Sequence, residues 1–151
     1  MEFLFIVLVL ILDRLTKLWA LNVLTAVPEI VVIKNFLSFS YLENRGAAFG
    51  ILQNKVSLLV IVTLVVVIGI IYYLIKYKPS SRLLKLSLSL IIGGALGNLF
   101  DRIFYKYVVD FILIHYKDVF YFPTFNAADM AVVIGTFLLI FYLIKEDENG
   151  K

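Results

Sequence analysis

The sequence predicts an all-α membrane protein of four transmembrane helices with a small extracytoplasmic β-sheet region. Of its 151 residues, 62% are hydrophobic and only 17% are charged, whereas soluble domains are roughly half apolar and a quarter charged. The apolar residues form four blocks, three of which approach or exceed the roughly 18 to 20 residues that span a bilayer. A water-soluble fold is therefore excluded, and we expect a single membrane domain over residues 1–151.

The first helix is predicted over residues 3–24. Asp13, Arg14 and Lys17 interrupt its apolar run in the second half. A cleavable signal peptide has a basic start and a small-residue cleavage site, whereas this segment opens with Glu2 and carries its charges inside the apolar run. We therefore expect a retained helix.

Residues 28–55 are predicted to form a strand region that lies on the extracytoplasmic side of the membrane. Within it, Leu37, Phe39 and Tyr41 alternate with serines at positions 38 and 40. A period of two indicates a strand with one apolar face and one face exposed to solvent.

Three further helices are expected at residues 56–75, 83–104 and 126–144. The first of these segments carries no charge and is the clearest membrane span in the sequence. The second contains Gly93 and Gly97 at GxxxG spacing, which allows another backbone to approach closely.

Two loops connect these helices. Residues 105–125 are interpreted as a mixed aromatic loop on the same side as the strand region. The loop at residues 76–85 carries four basic residues and no acid. Short loops rich in lysine and arginine lie in the cytoplasm, so we expect the basic loop there and the strand region outside.

Composition excludes several kinds of chemistry. The absence of cysteine removes thiolate nucleophiles, disulfides and cysteine-ligated metals. Metalloprotease, P-loop and dinucleotide-binding motifs do not occur, and a net charge of +3 spread over short loops gives no nucleic-acid signature. Ser87 with Lys85 could supply a nucleophile and a base, but both lie at the cytoplasmic end. His115, the only histidine, is assigned no role.

Four aspartates lie within or beside apolar segments: Asp13, Asp101, Asp110 and Asp129. Each would cost roughly 2.5 to 3.5 kcal/mol at the centre of a membrane helix. We therefore expect them to share a polar cavity that water can reach, and the predicted topology places them all towards the outer face.

Two helical faces can bring polar groups to the same depth. Asn98, Asp101 and Arg102 share a face of the third helix through their i, i+3 and i+4 spacing. Asn126 and Asp129 share a face of the fourth helix in the same way. The two faces can converge on one site.

Asp110 lies in a β-branched run just beyond the third helix, where a lone carboxylate is costly without a partner. If Asp110 and Asp129 meet, they cannot both ionise easily, and they share one proton. The ionised group can then activate water while the protonated group serves as an acid, as in an aspartic peptidase. The alternative is that these acids are structural and pair with Arg14, Lys17 or Arg102.

Other interpretations of the polar residues and of the protein's function remain open from the sequence alone. Arg102 is interpreted as a structural or substrate-orienting cation, and Asp101 as its neighbour or as an acceptor for loop amides. Asn44 and Gly46 could let the backbone approach a ligand, although a plain turn explains them better on the sequence alone. An ion-coupled transporter also uses intramembrane carboxylates, but it predicts polar residues at the midplane. A non-catalytic scaffold explains the glycines but not the paired Asn and Asp faces.

Five segments resemble, in order and spacing, the lipoprotein signal peptidase (signal peptidase II) family of bacteria. The resemblance covers nearly the whole chain. The segments are residues 13–17 (DRLTK), 44–49 (NRGAAF), 93–102 (GGALGNLFDR), 108–111 (VVDF) and 125–129 (FNAAD).

The resemblance implies an aspartic endopeptidase of the bacterial cytoplasmic (inner) membrane, with its active site towards the extracytoplasmic face. Such an enzyme cleaves the signal peptide from diacylglyceryl-modified prolipoproteins and needs no metal or cofactor. We expect a monomer whose partners are lipid-modified prolipoproteins and membrane lipids, with no nucleic acid. The implied catalytic dyad is Asp110 and Asp129, the implied substrate-binding residues are Asn44, Gly46, Asn98, Arg102 and Asn126, and the implied structural supports are Asp13, Lys17 and Asp101.

Overall fold

The structure, a computed structural model, describes residues 2–47, 51–117 and 119–149, with only the backbone described for residues 147–149. Ala48 and Phe49, which belong to one of the family-like segments, lie outside the described residues. The helices are α1 (Glu2–Val23), α2 (Val56–Tyr77), α3 (Arg82–Phe104) and α4 (Ala127–Asn149), and the strands are β1 (Ile30–Ile33), β2 (Leu37–Asn44), β3 (Val108–Tyr116) and β4 (Phe120–Tyr121).

The chain is mostly helical, as predicted. Within the described residues, three helices are long and apolar enough to cross a membrane, namely α2, α3 and α4. Helix α1 is also 22 residues long, but Asp13, Arg14 and Lys17 lie in its apolar run. Helix α4 continues to Asn149, beyond the end predicted at residue 144.

The strands form one antiparallel sheet in the order β1-β2-β3-β4. Strand β2 pairs with β3, and Leu42 lies opposite Asp110. The prediction of an aromatic loop over residues 105–125 was wrong, because this segment contains β3 and β4. Strand β3 begins with a continuous buried run from Val108 to Phe111, so it lacks the alternation by which half-exposed strands are recognised.

The prediction that the serine face of β2 is exposed was wrong at Ser38. This residue is fully buried, and its hydroxyl lies 3.3 Å from Nε2 of His115 on β3. The other ring nitrogen of His115, Nδ1, lies 2.9 Å from the carbonyl oxygen of Lys117. The histidine therefore packs within the sheet and satisfies a buried hydroxyl.

Helix α3 is central and packs against α1, α2 and α4. Glycines permit the close approach of these helices. A Cβ at Gly93 would lie 2.8 Å from Cβ of Val9 on α1, and a Cβ at Gly135 of α4 would lie 2.7 Å from the carbonyl oxygen of Ser87 on α3. The predicted glycine pair, Gly93 and Gly97, thus lies at the contact between α1 and α3.

The sheet rests on the carboxyl-terminal end of α1. Ala20 and Leu24 form a buried apolar cluster with Val109 and Phe111 of β3. Trp19 packs edge-on against Phe111 with a ring-centroid distance of 6.0 Å. This contact fixes β3, and therefore Asp110, beside the ends of the helices.

Candidate active site

The four aspartates fall into two groups with different partners. Asp13 and Asp101 form ion pairs with buried or partly buried cations. Asp110 and Asp129 instead accept hydrogen bonds from asparagine side chains. This division gives each pair a distinct chemical environment.

Lys17 is the centre of the ion-paired group. It is fully buried, and its Nζ lies 3.0 Å from Oδ2 of Asp13 and 2.9 Å from Oδ2 of Asp101. A third hydrogen bond of 2.9 Å goes to Oδ1 of Asn98. An ammonium group has three protons, so every donor of Lys17 has an acceptor, which is the condition for burying a charge.

Asp101 has three partners around its carboxylate. Arg14 donates from Nη1 to Oδ1 over 3.0 Å, and the backbone N–H of Val109 donates to Oδ2 over 3.1 Å. The carboxylate therefore accepts a loop amide, as one of its two sequence interpretations expected, and it pairs with Arg14 and Lys17 instead of Arg102. Asp101 thereby ties α1 and α3 to the start of β3.

Asp110 is fully buried on β3. Its Oδ2 accepts a hydrogen bond of 2.9 Å from Asn44, and its Oδ1 accepts one of 2.7 Å from Asn126. Burial, and then the nearby charge of Asp129, raise the pKa of Asp110 to about 7, although the hydrogen bonds from Asn44 and Asn126 oppose the shift. Asp110 can therefore hold a proton near neutral pH.

Asp129 occupies the first turn of α4. Its backbone N–H donates to Oδ1 of Asn126 over 2.9 Å, and its own Oδ2 accepts the backbone N–H of Asn126 over 3.1 Å. This reciprocal pair is a capping box. The amino end of a helix favours negative charge, so the position of Asp129 stabilises an ionised carboxylate.

Two asparagine amides connect the acids. Asn98 donates from Nδ2 to Oδ1 of Asp129 over 2.7 Å. Asn126 donates from Nδ2 both to Asp110 and, over 3.1 Å, to Oδ1 of Asn98. The path from Asp110 to Asp129 therefore runs through the side chains of Asn126 and Asn98.

Gly46 lies beside this network and is held from two directions. Its N–H donates to Oδ1 of Asn44 over 2.9 Å, and its carbonyl oxygen accepts from Nη2 of Arg102 over 3.0 Å. A Cβ at this position would lie 2.8 Å from the carbonyl oxygen of Ile51. Any larger residue would therefore force the segment after β2 to rearrange.

The structure brings together the residues singled out in the sequence. Asn44, Asn98 and Asn126 contact the carboxylates of Asp110 and Asp129 directly. Arg14 was missed as a site residue, although its spacing of three from Lys17 places both on one face of α1. Among the described residues, no group of three or more His, Cys, Asp or Glu side chains could hold a metal ion.

Comparisons with known proteins identify the family. The model of the family described as Signal peptidase (SPase) II matches residues 5–145. The chain belongs to the signal peptidase II family. It is 64% identical over 146 residues to the lipoprotein signal peptidase of Clostridium novyi (strain NT), with 97% of this chain and 99% of that protein covered. It is 43% identical over 147 residues to the lipoprotein signal peptidase of Streptococcus pneumoniae (strain ATCC BAA-255 / R6), with 97% and 94% covered.

Solved structures share the fold. One, described as a bacterial membrane enzyme structure by the in meso method, has a TM-score of 0.89 at 35% identity, with 99% of this chain and 91% of that chain covered. A second, described in the same words, has a TM-score of 0.83 at 36% identity, with 95% and 92% covered. The family makes this chain a protease, and its apolar helices together with these membrane enzymes make it a membrane protein. The resemblance found in the sequence is thereby confirmed.

Proposed function

We propose that this chain is an aspartic endopeptidase that removes the signal peptide from diacylglyceryl-modified prolipoproteins, with Asp110 and Asp129 as the catalytic pair. Membership of the signal peptidase II family supports the cleavage reaction and its substrate class. The observation that carries the catalytic assignment is the division of the acids into an ion-paired group and an amide-bonded group.

The structural alternative fits only half of the acids. Asp13 and Asp101 have the cation partners that it requires, at 2.9 to 3.0 Å. Among the described residues, Asp110 and Asp129 have no lysine or arginine nitrogen within salt-bridge distance. Ion pairing therefore accounts for the first group and leaves the second group for chemistry.

The two carboxylates differ in the way that acid–base catalysis requires. Asp110 is buried and has a raised pKa, so we assign it the proton in the resting enzyme. Asp129 lies at the amino end of α4, so we assign it the negative charge. Pairs of acids whose environments separate their proton affinities supply a base and an acid in one site.

The reaction then proceeds in two steps. Asp129 takes a proton from water, the water oxygen bonds to the scissile carbonyl carbon, and Asp110 gives its proton to the carbonyl oxygen. Asp129 next gives its proton to the leaving amide nitrogen. Asp110 recovers a proton from one hydroxyl as the carbon–nitrogen bond breaks, which leaves a carboxylic acid, a free amine and the original enzyme.

The asparagines orient this pair, and we assign Gly46 and Arg102 to the substrate side. Asn44 and Asn126 hold Asp110, while Asn98 and the backbone of Asn126 hold Asp129. Arg102 fixes the segment after β2 through Gly46. That segment would orient the substrate backbone over the two acids, and no metal or cofactor is needed for the step.

Four membrane spans are part of the proposal, with α1 as the fourth. Its charged residues can be accommodated because Asp13 and Lys17 are buried, and together with Arg14 and Asp101 they carry no net charge. We place the loop at residues 76–85 in the bacterial cytoplasm and the sheet with the catalytic pair at the extracytoplasmic face. The whole chain, residues 1–151, then forms one domain that functions as a monomer among membrane lipids.

The test is cleavage of a purified diacylglyceryl-modified precursor by Asp110→Asn and Asp129→Asn. Each variant should lose activity by about 10²- to 10⁴-fold, the usual contribution of a general acid or base, while its thermal unfolding in detergent stays cooperative. Glu29→Gln, at an exposed acid before β1, should retain full activity. Cleavage at the wild-type rate by either aspartate variant would remove that residue from the mechanism.

A further inference from the structure

An apolar groove of about 530 Å³ lies between α1 and α3. Its walls include Val7, Leu10 and Ile11 of α1 and Leu96, Phe100 and Ile103 of α3. Phe100 follows Asn98 by two residues, which places it about 200° around the helix. The groove therefore opens on the side of α3 opposite the catalytic pair.

Arg14 lines this groove and has unused hydrogen-bond donors. Its Nη1 binds Asp101, but within the described part of the chain its Nε and Nη2 are buried without a hydrogen-bond partner. The rings of Phe100 and Tyr105 lie 5.1 and 5.5 Å from the guanidinium carbon. Aromatic faces attract the cation but offer no oxygen to these donors.

The two unused nitrogens form one edge of the guanidinium group. Nε–H and Nη2–H point in the same direction, and this fork matches two oxygens of a phosphate or carboxylate. Unsatisfied buried donors are costly. A small rotation of the Arg14 side chain, which is 25% exposed, would present this edge to the groove, and an occupant with a pair of oxygens would stabilise that rotamer.

A second cation marks the same end of the groove. Lys106 is exposed just beyond α3, and its Nζ lies 2.9 Å from the carbonyl oxygen of Ile103, a wall residue. The buried cluster of Asp13, Arg14, Lys17 and Asp101 carries no net charge, so Lys106 makes this end positive. An anionic head group is favoured there.

The groove also has the length and surroundings of a lipid site. From Val7 to Arg14, α1 rises about 10 Å, which suits part of an extended acyl chain. Tyr105 and Lys106 follow the end of α3, where aromatic and basic residues mark the membrane surface. A second membrane helix would fit less well, because its carbonyl oxygens are bonded within the helix and cannot reach the Arg14 fork.

We infer that this groove binds an anionic glycerophospholipid, with an acyl chain along α1 and α3 and the phosphate oxygens at Arg14 and Lys106. The bound lipid completes the hydrogen bonds of Arg14. It thereby stabilises the ion pair with Asp101 without entering the catalytic site.

Native mass spectrometry of the delipidated full chain, incubated with equal amounts of phosphatidylglycerol and phosphatidylcholine, tests this inference. The wild type should retain phosphatidylglycerol preferentially. Lys106→Gln should weaken its retention about tenfold, as expected for the loss of one hydrogen bond between charged groups. Ile103→Trp, which fills the groove, should reduce the retention of both lipids, and Lys34→Gln, at an exposed lysine between β1 and β2, should change nothing.

Equal retention of the two lipids by the wild type would overturn the inference, as would undiminished phosphatidylglycerol on Ile103→Trp. A dimer that disappears in Ile103→Trp would instead assign the groove to a second copy of the chain. Arg14→Lys tests the paired donors directly, because it keeps the charge beside Asp101 but loses the Nε–H and Nη2–H pair. It should retain less phosphatidylglycerol than the wild type, and undiminished retention would contradict the role of the pair. The experiment can be performed in the Asp129→Asn background, so its result does not depend on the proposed catalytic pair.

Discussion

Lys17 donates a hydrogen bond of 2.9 Å to the side-chain oxygen of Asn98. An ammonium group can only donate, so this contact fixes which end of the Asn98 amide faces Lys17. The amide nitrogen therefore faces Asp129, 2.7 Å away. A buried ion cluster thus determines the orientation of a group that holds the proposed catalytic pair.

Replacing Lys17 with methionine should destabilise the protein strongly. Asp13 and Asp101 would remain buried without their shared cation, a change that typically costs about 3 to 5 kcal/mol. Chemical unfolding in detergent measures the loss. Lys85→Met is the matched control, because Lys85 pairs with Glu2 at 3.1 Å with side chains 35% and 30% exposed, and an ion pair that solvent screens contributes little to stability. Equal losses in the two variants would show that the buried cluster has no special role.

Gly97→Ala should disrupt the same cluster sterically. A Cβ at Gly97 would lie 2.6 Å from Oδ2 of Asp13, which is also the oxygen that pairs with Lys17. The melting temperature should therefore fall. Gly69→Ala in α2 is the control, because a Cβ there meets nothing within 4 Å and alanine is the better helix former by about 1 kcal/mol. A Gly97→Ala protein as stable as the wild type would contradict the packing described here.

The pKa of Asp110, about 7, predicts the alkaline limb of the activity profile. Above this pH Asp110 is ionised and the general acid is lost, so kcat/KM should fall about tenfold per pH unit. Asn44 donates a hydrogen bond to Asp110 that favours the ionised form. Asn44→Ala should therefore shift the limb to higher pH, whereas Asn22→Ala, at an exposed position in α1, should leave it in place.

The same pKa has a consequence for stability. Folding raises the pKa of Asp110 from its ordinary value of 3.8 to about 7, so the folded chain binds more protons than the unfolded chain between these values. The free energy of unfolding should therefore fall as pH rises through this window. Asp110→Asn should remove that part of the pH dependence. Parallel stability profiles for the variant and the wild type would contradict the raised pKa.

Asn126 has two functions that substitution can separate. Its side chain caps α4 through the N–H of Asp129 and also bridges Asp110 to Asn98. Serine is a good helix cap but is too short to bridge, so Asn126→Ser should lose activity. It should be more stable than Asn126→Ala because it keeps the cap, but less stable than the wild type because the buried Asp110 loses a hydrogen bond. Asn126→Ala should lose both activity and stability, with about 0.5 to 2 kcal/mol of the lost stability attributable to the cap. Full activity in the serine variant would rule out the bridging role.

The sequence was sufficient to predict the long helices, because each contains a long apolar run, which is free of charge over residues 56–75 of α2. It was not sufficient for β3. Its buried run from Val108 to Phe111 shows no alternation, and it becomes a strand only because β2, far away in sequence, pairs with it. Local pattern cannot report that pairing.

The sequence was likewise sufficient to predict only part of the candidate site. The spacing of Asn98 and Asp101, and of Asn126 and Asp129, was enough to predict two converging polar faces. It could not show which acids would be paired with cations. That division depends on Lys17 reaching across from α1 to Asp101 and Asn98 on α3, a contact set by helix packing alone.

The position of Asp110 relative to α4 is fixed by the main chain. Phe125, immediately before the cap of α4, accepts hydrogen bonds of 3.0 and 2.8 Å from the N–H groups of Phe111 and Ile112, and its own N–H donates to Ile112 over 3.1 Å. These bonds do not involve side chains. The exposed residues that follow in the chain, Tyr116, Lys117, Val119 and Phe120, can therefore change while the two acids keep their separation. This gives the enzyme a part of its exterior that can be altered independently of its chemistry.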